Sequence, residues 1–318
     1  MVAFFNAGHM DFKQIQTFVQ VAELGSFTRA ASVLRVAQPA LSRQVRALEV
    51  ELRQPLFDRN GRGVTLTPAG QRLLAHGRGI LQQLERARLD LEDTRGAAAG
   101  LLSIGLPPSV SRTLTAPLVE SFRERFPRAT LSVVEGLSTY TLEWLAQGRI
   151  DCAVVYNATP AAAFDLQPVL EEPLFLVSAR RGTARTLVGR PLRLAEVAAH
   201  ELVIPSRPHA LRMRLEMALA EAGLKPRVGL EIESVPAILD LVQRHPLHAV
   251  LSLNAIRGSA REERFRARPI TLPAGAAPLA ATLWVATSAQ RPRGPLLEQA
   301  VPLLSQLLCR HLGMAHSS

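Results

Sequence analysis

The stretch from Gln38 to Leu52 constrains this chain more than any other. Its apolar residues Leu41, Val45, Leu48 and Leu52 fall on one helical face, and Gln38, Pro39, Ser42, Arg43 and Arg46 gather on the opposite one. Pro39 stands where a first helical turn tolerates proline, because its missing N–H would have had no partner there. A shorter helix precedes it, with Ser26 placed as N-cap and Phe27, Ala30, Ala31 and Leu34 as its apolar stripe, and Arg35-Val36-Ala37 forms the break between the two. Before that, Phe12, Ile15, Phe18, Val19 and Ala22 mark another helix, ended by Gly25. Two short helices joined by a three-residue turn, the second amphipathic with a basic polar face, form a helix-turn-helix arrangement. Such a helix suits the major groove, where Gln reads adenine, Arg reads guanine and Ser serves either base. Taken alone, such a polar face is more often a solvated surface.

The next segment of the chain tips the balance. Leu56-Phe57-Asp58-Arg59 leads into Asn60-Gly61 and out through Arg62-Gly63-Val64-Thr65-Leu66. Asn-Gly is a strong two-residue hairpin signal, since both central positions need positive φ. Arg59 and Arg62 then make the hairpin a basic wing suited to phosphates. Thr67-Pro68 reads as N-cap and first residue of a further helix, whose free N–H groups suit a phosphate.

The ordered run Ala30-Ala31, Leu34, Ala37-Gln38-Pro39-Ala40-Leu41-Ser42, Val45, Leu48-Glu49, Leu52, Leu56-Phe57, Arg59 and Thr65-Leu66-Thr67-Pro68-Ala69-Gly70 resembles the LysR-type transcriptional regulators over roughly sixty residues. The resemblance implies a DNA-facing set of Thr28, Gln38, Pro39, Ser42, Arg43, Arg46, Arg59, Arg62 and Thr67. One residue departs from the family pattern: Arg53 stands where Gly usually follows the recognition helix, and a left-handed conformation there costs an Arg about 1 kcal/mol.

From Ala69 to Arg95 the pattern stays helical without proline, and Leu73, Gly77, Ile80, Leu84, Ala87 and Leu91 keep the spacing of a coiled-coil seam. Twenty-seven such residues span about 40 Å. A stripe so narrow on a helix so long needs cover, either from its own C-terminal domain or from a second copy. The resemblance favours the copy, with Leu73, Ile80, Leu84, Ala87 and Leu91 as dimer contacts and a palindromic DNA site to match.

After Gly100 strand-like runs alternate with amphipathic helices: strands at 101–106, 130–134, 152–156, 174–177, 202–204, 228–232, 249–253 and 280–286, with helices at 109–126 and 138–147 between the first of them. Alternation of this kind predicts an α/β domain with largely parallel sheets. Gly148 to Asp151 is similar to the effector domain of the same family. That likeness implies a periplasmic-binding-protein-like fold of two lobes joined by crossovers near 174–179 and 274–281. The expected organisation is an N-terminal all-α winged helix-turn-helix (1–67) with a long linker helix (68–95), a hinge (96–100), and a C-terminal α/β two-lobed effector domain (101–318). Lobe I takes about 101–175 and 280–318, and lobe II about 176–279.

Ligands of open α/β sheets collect at strand carboxyl ends, where helix N-termini converge. There the chain places Ser109, Ser138, Thr139, Ser206 and His209, with Tyr156 ending a strand that faces the same side. Ser109 and Ser138 correspond by position to hydroxyl-bearing effector contacts of the family. Hydroxyls and free N–H groups suit a small anion such as a carboxylate, although Ser and Thr are also ordinary helix caps.

The charge distribution agrees. The chain carries 37 basic and 27 acidic residues. Between Arg29 and Arg78 there are nine arginines against Glu49, Glu51 and Asp58. Two cysteines, Cys152 and Cys309, exclude a disulfide framework, and no metal-ligand spacing or cofactor motif is present. There is no nucleophile elbow, nucleotide loop or paired acid/base set, so an enzyme is not expected. The first nine residues lack a basic n-region and a cleavage pattern, which argues against a secretory signal, and no apolar run approaches bilayer length. The expected protein is a cytoplasmic bacterial regulator that binds double-stranded DNA, a small anionic effector and itself as dimer or tetramer, with RNA polymerase as a further partner. Two other readings stay open: a regulator that needs no ligand, and a two-lobed binding protein or enzyme with no DNA role.

Overall fold

The structure, a computed structural model, describes residues 10–60, 63–92, 100–180, 186–257, 262–272 and 277–313. It divides into two compact units, one made of the residues up to Glu92 with Gln147–Arg149 and one of the remaining C-terminal residues.

In the N-terminal unit, α1 (Phe12–Leu24) starts at Asp11 and stops at Gly25, whose φ of 61° is the left-handed cap that glycine takes freely. The Ser26 hydroxyl accepts the Arg29 N–H at 3.3 Å and opens α2 (Phe27–Leu34). The recognition-type helix α3 (Gln38–Leu52) begins with Pro39 in its first turn and buries Leu41, Val45 and Leu48. Arg53 is left-handed with φ 51°, the strain expected of it, and Arg35 after α2 shares this conformation at φ 53°. Phe57 sits 5.3 Å from Phe18 and 5.8 Å from Phe27 between ring centroids, tying the wing to the helical core.

Strands β1 (Phe57–Asn60) and β2 (Gly63–Leu66) pair antiparallel, with Asn60 opposite Gly63. Asn60 therefore closes the ladder, one residue out of the register in which Asn60-Gly61 would itself be the turn. The residues between, Gly61 and Arg62, lie outside the described residues, as does the side chain of Arg59. Helix α4 (Pro68–Glu92) follows, about 37 Å of helix at 1.5 Å per residue.

The C-terminal unit runs β3 (Gly100–Leu106), α5 (Pro108–Arg125), β4 (Ala129–Glu135), α6 (Ser138–Ala146), β5 (Cys152–Tyr156) and β6 (Phe164–Ala179). Then come β7 (Leu192–Arg193), α7 (Leu194–Ala199), β8 (Glu201–Ile204), α8 (Ala210–Glu221), β9 (Arg227–Glu231), α9 (Val235–Arg244) and β10 (Ala249–Ser252). A 3-10 turn (Leu253–Ala255), a second short one (Glu262–Arg264), β11 (Phe265–Thr271), β12 (Ala280–Ser288) and α10 (Pro295–Leu312) complete it. Of the expected hinge, only Gly100 is among the described residues, and it opens β3.

The main sheet has the order β4-β3-β5-β12-β6-β11-β7, with β10 also on β6, while β8 and β9 form a separate pair. It is mixed rather than largely parallel. Strand β12 runs antiparallel to β5 and β6, and β10 and β11 run antiparallel to β6. The cause is β6, whose sixteen residues pair first with β12 and then with β10 and β11, passing from one lobe to the other. Its first half is hard to see in the sequence because Pro168 and Pro173 interrupt it. The structure accommodates Pro168 at a register shift between Leu283 and Trp284, where a missing ladder donor is tolerated.

Candidate functional site

The polar side of α3 stands open. Gln38, Pro39, Arg43 and Arg46 are exposed and Ser42 is half-buried, opposite the buried Leu41, Val45 and Leu48. Thr28 is exposed on α2. Gln44 on the same helix as Ser42 turns inward: its Oε1 accepts the Thr17 hydroxyl at 2.6 Å and braces α3 on α1. Thr67 corrects an expectation. It is 7% exposed, its hydroxyl donates to the Pro55 carbonyl at 2.7 Å and accepts the Gly70 N–H at 3.0 Å, so it caps α4 from inside and offers no side chain to DNA. Glu49, unforeseen as a site residue, accepts the Leu56 and Phe57 N–H groups and thereby aims the wing.

The seam expected on α4 is divided. Leu73 packs with Leu74 and Leu81 against the core of its own unit, so it is not a free dimer contact. A Cβ at Gly77 would come within 2.9 Å of Val19, which shows how closely α4 and α1 approach. Ile80, Leu84 and Ala87 are exposed. The Leu91 side chain lies outside the described residues.

In the C-terminal unit one cavity of about 30 Å³ is lined by the N-terminal ends of four helices: Pro108 and Ser109 of α5, Ser138 of α6, His209 to Leu211 at α8, and Glu233 and Val235 at α9. That is space for about two water molecules, or a carboxylate-sized group. Tyr156, Leu251, Ser252 and Ala255 complete most of the wall, and among the described residues no Lys or Arg lines it. Ser138 Oγ accepts the Tyr156 N–H at 3.0 Å, leaving its own O–H to donate. His209 Nδ1 accepts the Leu211 N–H at 3.3 Å, and burial lowers its pKa from 6.5 to about 4, so the neutral ring carries its proton on Nε2.

Two expected contacts are not there. Thr139 is exposed, since one residue along α6 from Ser138 turns the side chain through about 100°. Ser206 does not reach the cavity either, because its carbonyl accepts the His209 N–H in a turn that presents His209 instead.

The polar floor beneath was not foreseen. Tyr156 Oη donates to Glu172 Oε2 at 2.6 Å, Ser109 Oγ lies 3.2 Å from Tyr156 Oη, and Asn254 Nδ2 donates to Glu172 Oε1. Glu172 sits on the half of β6 that the prolines conceal.

Residues 12–71 match the bacterial regulatory helix-turn-helix protein of the lysR family, and residues 95–308 match the LysR substrate binding domain. The chain belongs to the LysR family of transcriptional regulators. Among its LysR relatives is the nitrogen assimilation regulatory protein nac of Escherichia coli (strain K12), 37% identical over 249 residues, covering 78% of this chain and 80% of that protein. The HTH-type transcriptional regulator BbuR of Bordetella bronchiseptica is 32% identical over 219 residues, covering 68% and 67%. The LysR-type fold recurs in CbnR, with a TM-score of 0.69 at 22% identity over 94% of this chain and 99% of that one. A full-length OxyR variant from Pseudomonas aeruginosa gives a TM-score of 0.67 at 22% identity, covering 95% and 96%. No described helix of this LysR protein is long and apolar enough to cross a membrane, and no metal-ligand group occurs among the described residues.

Proposed function

We propose that this regulator binds a palindromic duplex as a homodimer and answers to a small anion held in the cavity of its C-terminal unit. In this reading α3 enters the major groove, with Gln38, Ser42, Arg43 and Arg46 toward base edges and Thr28 and Pro39 beside them, while Arg59 and Arg62 of the wing neutralise phosphates. A complex of CbnR with its target DNA supports the DNA side by likeness. The exposed Ile80, Leu84 and Ala87 face of α4 pairs with the same face of a second copy. A cytoplasmic location follows from the role.

The observation that carries the ligand reading is the convergence of four helix N-termini on one small cavity. Their N–H groups and positive dipole ends favour a negative charge, and Ser138 and His209 add neutral donors. With no Arg or Lys among the described wall residues, a single charge suits the site better than a phosphate or a dicarboxylate. A ligand bound more tightly by one arrangement of the lobes shifts the population by that difference, typically about 1–3 kcal/mol, and with it the half-site spacing.

The test uses duplexes that the wild-type protein enriches from a random pool. Arg43→Ala should weaken binding to the enriched site by about 1–3 kcal/mol and relax preference at particular bases. Arg62→Ala should weaken all duplexes alike and reduce the salt slope by about one unit. Equal affinity of wild type and Arg43→Ala for the enriched site removes α3 from the interface.

A further inference from the structure

The floor of the cavity holds an acid, and the hydrogen bonds around it fix which way each proton points. Glu172 is 3% exposed. A tyrosine hydroxyl has one proton, and while Glu172 is ionised that proton is committed to Glu172 Oε2. Ser109 must then donate to Tyr156, and it turns only lone pairs toward the cavity it lines. When Glu172 is protonated the row reverses. Glu172 donates to Tyr156, Tyr156 donates to Ser109, and the Ser109 O–H is released to the cavity. An ionised Glu172 therefore opposes an anion twice, by its charge and by the acceptor it sets at Ser109.

We propose that the cavity takes a monocarboxylate together with one proton, the proton residing on Glu172, so that ligand binding and protonation of Glu172 are one event. This rests on the anion reading above and names its regulation. The proton comes from solvent, the only bond formed is the O–H on Glu172, and the net charge of the buried site is the same before and after binding. That balance matters in an interior where an uncompensated charge is expensive.

The neighbours fit. From β5 comes Tyr156, whose pKa is raised by burial and then by the Glu172 charge, so it keeps its proton. Helix α5 supplies Ser109 and Arg112, whose guanidinium is directed to the Asn254 carbonyl at 3.2 Å and to the Ala255 carbonyl. The first 3-10 turn and β10 contribute the neutral Asn254 and Ser252, β12 sets Ala281 opposite Glu172, and α10 offers the Leu312 carbonyl to Asn254. His209 and Glu233 face the cavity from α8 and α9. Burial raises the Glu172 pKa, against the opposing pull of its bonds from Tyr156 and Asn254.

Acetate is the probe, titrated calorimetrically into the full-length protein in two buffers of different ionisation enthalpy. Wild type should take up close to one proton per acetate at pH values above the Glu172 pKa, with affinity falling about tenfold per pH unit over that range. Glu172→Gln, whose amide donates as the protonated acid does, should bind acetate with no pH dependence and no proton uptake. Tyr156→Phe, which cuts the row but leaves the Glu172 charge in place, should bind acetate more weakly and keep only a reduced pH dependence. If wild type binds acetate equally at every pH without proton uptake, the proton linkage is wrong and the anion site stands. Absence of acetate binding in wild type and both variants at all pH values overturns the linkage and the anion reading together.

Discussion

The carboxylate of Glu49, inside the recognition-type helix, accepts the backbone N–H of Leu56 at 2.9 Å and fixes where the wing begins. The same oxygen takes the Phe57 N–H at 3.2 Å. One half-buried side chain thus orients the helix and the wing relative to each other. Glu49→Ala strands two donors next to the core, where a bond to a charged group is worth about 1.5–3 kcal/mol. Its melting temperature should fall and its DNA affinity should fall further than stability alone accounts for. Glu49→Gln, which keeps an acceptor, should recover most of both. Equal melting of wild type and Glu49→Ala would show that the wing is positioned by Phe57 packing alone.

Arg53 supplies a stabilising substitution. Its φ of 51° is a conformation that glycine adopts without steric cost. Arg53→Gly should raise stability by about 1 kcal/mol in denaturant unfolding. A loss instead would mean that the Arg53 side chain contributes more than its backbone costs.

The divided seam of α4 predicts where the proposed dimer is broken most easily. Ile80 and Leu84 are 41% and 51% exposed, whereas Leu73 is committed to its own core. Ile80→Asp with Leu84→Asp should yield a folded monomer in sedimentation, since charges at an apolar seam face desolvation without a partner. Leu73→Ala should instead lower the melting temperature by a cost of about 2 kcal/mol, with little change in assembly. A dimer that survives the double substitution would place the contact elsewhere.

His209 predicts an acid-sensitive lobe. Burial depresses its folded pKa from 6.5 to about 4, so the unfolded chain binds more protons between those values. Its contribution is complete above pH 6.5 and is lost as pH falls toward 4, up to about 3 kcal/mol at 1.4 kcal/mol per unit. His209→Asn keeps a capping acceptor at the start of α8 and has no titratable ring. The stability gap between wild type and variant should therefore shift against wild type over that range, read by denaturant unfolding at several pH values. A constant gap would refute the assignment.

Much of this protein was legible in the order of its residues. The helix starts at Ser26 and Pro39, the apolar face of Leu41, Val45 and Leu48, the strain at Arg53 and the strand Cys152–Tyr156 all depend on neighbours within a few positions, where periodicity and capping operate. Tertiary structure decided the rest. Leu73 and Ile80 carry the same local pattern, yet the core of the N-terminal unit covers one and leaves the other bare. Thr67 reads as a phosphate-facing cap until Pro55 and Gly70 are seen to claim its hydroxyl. Glu172 sits between two prolines in a segment that shows no strand, and becomes the centre of the cavity floor only when β6 brings it to Tyr156 and Asn254. Proton direction along such a row depends on atoms far apart in the chain, and no local pattern encodes a distance of that kind.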